Sequence, residues 1–193
     1  MDARFRCAAG LVVLAIVAGS AHAQQDVPFL ESPEPVVEAM LELAGVNEDD
    51  VVYDLGSGDG RIVIAAAISH GARGVGIEIE ADLVAQSIEK AAAAGVAHRV
   101  RFIEGDIFKS AFGEATVVMM YLYPKVNRRL QPLLAEQLAP GTRIVSHRYS
   151  IQGWKPAERI KVAGRHIFLY VVPGDGPGGL GDGDVQFSQH SPS

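Results

Sequence analysis

The chain has 193 residues and a formal net charge of −6, an acidic balance that gives no electrostatic footing for nonspecific nucleic-acid binding. Its single cysteine, Cys7, lies in a stretch that reads as a removable leader, so the folded part has no disulfide framework, cysteine metal site or thiol nucleophile. The histidines show no paired ligand spacing, and no metal is expected.

In chain order, residues 1–23 read as a signal peptide. Arg4 and Arg6 precede an apolar core from Ala8 to Ser20, too short to span a bilayer comfortably as a permanent helix. Ala21-His22-Ala23 then gives the small-x-small pattern after which signal peptidase cuts. Cleavage after Ala23 makes the protein exported and periplasmic, with no integral membrane span in the mature chain; left uncut, the same segment is an anchor. Residues 24–32 read as a linker, 33–173 as one domain, and the Gly-, Asp- and Ser-rich residues 174–193 as a disordered tail.

Within the domain, Pro33 and Pro35 sit where a first helical turn tolerates them, and Val36, Val37, Met40, Leu41 and Leu43 make an apolar face that stops at Gly45. Val51 to Leu55 is a buried strand, Arg61 to His70 a helix stopped by Gly71, and Gly74 to Ile79 a second strand. Ala81 to Ala94 is a helix with Leu83, Val84, Ile88 and Ala91 on one side. Val100 to Ile103 and Ala115 to Tyr121 are strands three and four. Asn127 to Leu138 is a helix facing inward with Leu130, Leu133, Leu134 and Leu138, and Pro132 is expected to kink or split it. Arg143 to Ser146 is a fifth strand, and Glu158 to Ala163 and Ile167 to Val172 form an antiparallel hairpin around Gly164-Arg165. Apolar strands alternating with helices predict a doubly wound, mostly parallel α/β sheet that ends in an antiparallel hairpin.

Such sheets bind ligands beyond the carboxyl ends of their strands. The first end carries Asp54, then Gly56, Ser57, Gly58 and Gly60 in G-x-G-x-G spacing, with Arg61 where a dinucleotide fingerprint has its third small residue. Asp54 and Asp59 would repel a pyrophosphate and hold a ligand of positive charge. S-adenosyl-L-methionine, with its sulfonium and ammonium, is such a ligand. Glu78 and Ile79 close the second strand, where an acid accepts ribose hydroxyls. Asp106 and Ile107 close the third, where a carboxylate can accept the adenine amino group. Tyr121, Tyr123 and Pro124 follow the fourth strand as the candidate catalytic set, an aromatic wall beside a sulfonium and a product ammonium. His147, after the fifth, either relays a proton and shapes the substrate mouth or is a structural strand-end histidine. Trp154 caps the core or clamps a substrate.

The run DLGSGDGRIVIAAA, with GVGIEIE, GDIF, VVMMYLYP and GTRIVSH, resembles class I, seven-β-strand S-adenosylmethionine-dependent methyltransferases, and among them the small lysine methyltransferases related to those of mitochondria. The resemblance covers about Pro33 to Pro173. It implies strand order 3-2-1-4-5-7-6, with Asp54, Gly56 and Gly58 along the methionine half of the cofactor, Glu78 at the ribose, and Asp106 with Ile107 at the adenine. Amino-methyltransferases of nucleic acids and glutamine often carry Asn/Asp-Pro-Pro-Tyr after the fourth strand. Tyr121-Leu122-Tyr123-Pro124 departs from that pattern and fits a protein substrate methylated on lysine or another amine. The alternative is an exported, noncatalytic module that kept the fold, because the cofactor is made in the cytoplasm.

Overall fold

The computed structural model describes residues 31–174. The expected leader and nearly all of the expected linker and tail lie outside them. The described chain runs α1 (Glu34–Ala44), β1 (Val51–Leu55), α2 (Arg61–His70), β2 (Arg73–Glu78), α3 (Ala81–Ala93), β3 (Val100–Glu104), β4 (Val117–Met120), α4 (Pro124–Gln137), β5 (Arg143–His147), β6 (Glu158–Val162) and β7 (Arg165–Val171). The strands form one sheet in the order β3-β2-β1-β4-β5-β7-β6. The first five are parallel, and β7 runs antiparallel to both β5 and β6. The Rossmann-like order implied by resemblance is the order found.

Side chains alternate across the sheet, which makes two cores. Tyr53, Leu55, Val118, Met120 and Ile144 face α4, where Leu130 and Leu134 close over them. Val52, Val117, Met119 and Val145 face α1 and α2, meeting Val37, Met40, Leu41, Ile62 and Val63. Each large apolar side chain fully buried there stabilises the fold by about 1.5–3 kcal/mol. Gly74 and Gly76 let the second layer approach β2. A Cβ on Gly74 would lie 2.7 Å from Val63 Cβ, and one on Gly76 would lie 2.6 Å from Ser57 Oγ.

Several boundaries differ from expectation. Helix α4 begins at Pro124, with Tyr123 as its N-cap, three residues before the periodicity suggested, because a proline in the first turn gives up an N–H that has no helical partner anyway. The same helix runs through Pro132 unbroken. Pro132 lies on the exposed face, where the carbonyl freed one turn earlier can turn to water. In α3 the inward residues are Val84, Ser87 and Ala91, whereas Ile88, expected inside, is 53% exposed. The β6–β7 turn is Ala163-Gly164 rather than Gly164-Arg165. Both turn residues have positive φ, 48° and 77°, as a two-residue hairpin turn of primed type requires.

The last residues of the expected linker are fixed in place. Ser32 is 4% exposed, its carbonyl accepts from Arg61 at 3.0 Å, and Glu31 pairs with Arg61 at 2.9 Å. This strap runs from the start of α2 toward the end of β5.

Candidate active site

The parallel register brings the ends of β1, β2, β3, β4 and β5 to one edge of the sheet. Asp54, on β1, is 2% exposed and has no ion-pair partner among the described residues. Burial, followed by the nearby charges of Glu78 and Asp59, pushes its carboxyl well above the ordinary carboxylate range. A cation placed beside it would reverse that shift.

The glycine loop leaves β1 through left-handed backbone at Gly56, Gly58 and Gly60, a conformation that costs other residues about 1–2 kcal/mol each. Its amides turn back into the protein. The Gly56 and Ser57 N–H groups both donate to the Ile77 carbonyl, at 2.9 and 3.0 Å, and Gly60 N–H donates to Ser57 O at 2.9 Å. Ser57 Oγ is buried against β2 with no partner. Gly60 faces inward, since a Cβ there would stand 2.6 Å from the Phe102 ring and 2.9 Å from Ser87 Cβ. Ser57 and Gly60 therefore shape the loop from behind, while a Cβ on Gly56 would stand 3.0 Å from Leu122 Cδ2.

Asp59 departs from its expected role as a second acid facing a cationic ligand. It is 4% exposed and receives Arg61 Nε at 2.9 Å and Lys90 Nζ at 2.5 Å. Burial alone would raise its pKa, but hydrogen bonds and charge from Arg61 and Lys90 outweigh it and hold the carboxyl at about 2. Its charge is spent on α2 and α3, leaving Asp54 and Glu78 as the acids of this half.

Glu78 is organised by backbone. Oε2 accepts from Gly58 N at 2.8 Å, and Oε1 from Ile79 N at 2.8 Å and Glu80 N at 3.1 Å. A carboxylate offers about four acceptor positions, so three are used in locking it and one remains. Beside it Ile79 is 50% exposed, an apolar face at the mouth of the crevice. At the end of β3, Asp106 Oδ1 accepts from Phe108 N at 2.9 Å, Lys109 lies 3.6 Å from Oδ2, and Ile107 packs half-buried on the α4-side core.

The acceptor side is aromatic. Tyr121 lies against the His147 ring with centroids 4.0 Å apart, and Tyr123 stacks on Tyr149 at 5.7 Å. Leu122, between the tyrosines, turns the other way into the core. His147 is fully buried. Its Nδ1 is 2.9 Å from Ser32 Oγ, and its Nε2 has no partner. Burial first, then the charges of Arg165 and Arg148, push its pKa down to about 4, so the ring is neutral at physiological pH. Tyr149 and Arg148 had no sequence signal beyond their place after a strand. Ser32 had none, since it stands in a stretch that reads as linker. Trp154 packs edge-on against Tyr170 at 6.3 Å and caps the core. Among the described residues no group of three or more His, Cys, Asp or Glu is placed to hold a metal ion, and no helix is long and apolar enough to cross a membrane.

Comparison with known proteins places this geometry. The family profile of the ANTKMT methyltransferase domain matches residues 54–158, from the acid at the end of β1 to the start of β6. A protein-lysine N-methyltransferase of Saccharolobus islandicus is 44% identical over 151 residues, covering 76% of this chain and 94% of that protein. An adenine nucleotide translocase lysine N-methyltransferase of Mus musculus is 32% identical over 151 residues, and this chain spans 66% of its length. Among solved structures, one described as an RNA methyltransferase from Salinibacter ruber in complex with S-adenosyl-L-homocysteine is 53% identical, with TM-score 0.74, covering 75% of this chain and 94% of that one. A strand order with β7 inserted antiparallel, acids at the ends of β1 and β2, and these matches agree: the chain belongs to the ANTKMT methyltransferase-domain family and is a class I S-adenosyl-L-methionine-dependent methyltransferase.

Proposed function

We propose that the methyl acceptor is the side-chain amine of a lysine in a protein. The observation that carries this is the β4 end, where Tyr121 and Tyr123 present rings and no Asn or Asp stands to grip a planar nitrogen. The names of the Saccharolobus and mouse relatives agree with it. The Salinibacter neighbour, described as acting on RNA, makes RNA the competitor that a test must include.

On this reading Asp54 meets the positive groups of the cofactor, whose charge relieves the repulsion it suffers from Glu78 and Asp59. Glu78, fixed by three amides, offers its remaining acceptor position to the ribose. Ile79 and Ile107 supply apolar walls for the adenine, with Asp106 at its edge. S-adenosyl-L-methionine supplies an electrophilic methyl group when bound. The protein's part is placement: Tyr121, Tyr123 and Pro124 hold a neutral amine in line with that methyl, and the ring faces favour the cationic product. The lysine ammonium loses its proton to solvent before attack, and no covalent nucleophile is needed.

The test is transfer of labelled methyl to lysine peptides and to a mixed-sequence RNA, with the product identified by mass. Methylated lysine supports the proposal, and label in RNA alone refutes it. We also infer that the protein is exported and begins at Gln24, on the strength of Arg4, Arg6, the short apolar core and Ala21-His22-Ala23. Amino-terminal sequencing of the protein recovered from cells decides it, since retention of Met1 refutes cleavage.

A further inference from the structure

The edge of the sheet that carries the site is divided by charge. Its cofactor half bears Asp54 and Glu78, with Glu80 and Asp106 beside them, while Asp59 is paired with Arg61 and Lys90. From Tyr121 to Lys155, the stretch that builds the acceptor half, the only acid is Glu136, against Lys125, Arg128, Arg129, Arg143, Arg148 and Lys155. Glu136 lies in the last turn of α4 and Arg143 at the start of β5, both at the far end of the sheet, where Arg143 pairs with Asp50. The remaining five cations belong to the first turns of α4 and to the connection after β5. Those two segments touch through Arg128 Nε, which donates to Gln152 Oε1 at 3.0 Å. None of the five has a carboxylate partner among the described residues. In a chain of net charge −6 this is a local reversal of charge, although Arg129 is turned over the Phe108 ring, 3.6 Å from its centroid.

Arg148 is its centre. It adopts φ 68°, a left-handed conformation unusual for a residue with a long side chain, and is held there by its N–H donating to His166 O at 2.6 Å. From that backbone its guanidinium reaches Tyr121, with Nη1 3.5 Å from the phenol oxygen, and lies 5.4 Å from the Tyr149 ring. Tyr149 in turn stacks on Tyr123. A cation without a carboxylate partner among the described residues is thus set among the aromatic rings proposed to receive the acceptor.

We propose that this rim selects a lysine embedded in an acidic protein segment, with Arg148 and Arg128 pairing carboxylates that flank it. The inference rests on the lysine reading above and narrows it. A lysine in a neutral or basic segment brings its own ammonium against Arg148 uncompensated. Flanking Asp or Glu residues turn that repulsion into attraction and leave the amine beside Tyr121. The rim pairs are exposed, so their effect is modest singly and screened by salt.

The experiment uses the full chain, S-adenosyl-L-methionine and lysine peptides of equal length whose flanking residues are glutamate, glutamine or arginine, with a mixed-sequence RNA in parallel. The expected result is a kcat/KM roughly tenfold higher for the glutamate-flanked peptide, shrinking at about 1 M salt, where screening acts within about 3 Å. Arg148→Glu and, independently, Arg128→Glu are expected to shift preference toward the arginine-flanked peptide while cofactor affinity by calorimetry stays unchanged. Equal transfer to all peptides overturns this inference and leaves the lysine reading standing. Label in RNA with no transfer to any peptide overturns both.

Discussion

His147 links the folded core to the substrate mouth, and its protonation gives the sharpest forecast. The ring is fully buried, touched by Tyr121 on one face and by Ser32 Oγ at Nδ1. Its field is set by Arg165 and Arg148, which oppose a further positive charge. Above pH 6.5 the imidazole is neutral in both folded and unfolded chains. Between 6.5 and about 4 only the unfolded chain takes up the proton, so stability falls as acid is added. Below about 4 both states bind it, and the loss saturates.

An imidazole moved from 6.5 to about 4 accounts for roughly 3 kcal/mol across that window, at about 1.4 kcal/mol per pH unit. Urea unfolding of the wild-type protein and His147→Phe, followed through the window, isolates it, since the carboxylates titrating nearby are common to both and cancel in the difference. The wild-type protein is expected to lose about 3 kcal/mol more than the variant. A histidine proton resonance should report a midpoint near 4. Parallel acid losses in the two proteins, or a midpoint near 6.5, would falsify the burial argument and with it the neutral ring behind Tyr121.

Other expectations follow from single contacts. Asp54→Ala and Glu78→Ala should each weaken S-adenosyl-L-methionine binding by about 1–3 kcal/mol in calorimetry, with Glu78→Gln intermediate because one oxygen acceptor survives; unaltered affinity in folded variants would sink the assignment. Gly60→Ala combines φ 78° with a Cβ 2.6 Å from Phe102 and should cost about 3 kcal/mol in thermal unfolding. Gly95→Ala, at φ 73° with nothing within 4 Å, should cost only about 1 kcal/mol; equal losses would refute the close-approach account. Tyr121→Ala should lower turnover about tenfold with cofactor affinity intact, and a matched loss of both would make the tyrosine structural.

The strands and the acids at their ends were legible because both follow local rules. An apolar run of strand length flanked by turn residues has few alternatives, and a carboxylate just past it falls at the ligand edge by topology alone. Ile88 was misread because periodicity says which residues share a face and not which face a neighbour covers. Asp59 was misread for a different reason. Its partners are Arg61, two residues on, and Lys90, on the next helix, and the second is a tertiary contact that no spacing rule encodes. Ser32 lies 115 residues from His147, and Arg148 acquires its role from a left-handed backbone rather than from its neighbours in sequence.

The glycine loop shows why spacing alone is a weak guide to cofactor class. Loops of this kind bind a pyrophosphate when their amides and the following helix N-terminus point free into the crevice. Here the Gly56, Ser57 and Gly60 amides are satisfied by Ile77 and Ser57 carbonyls, and the Gly58 amide by Glu78. Asp54, buried and carrying the repulsion of two other acids, would oppose an incoming anion at the same place. Each of these choices lowers affinity for phosphate, and the last raises it for a cation. The class of ligand is therefore decided by where the amides and the unneutralised carboxylate go, and a G-x-G-x-G run whose amides were instead free would call for the opposite conclusion.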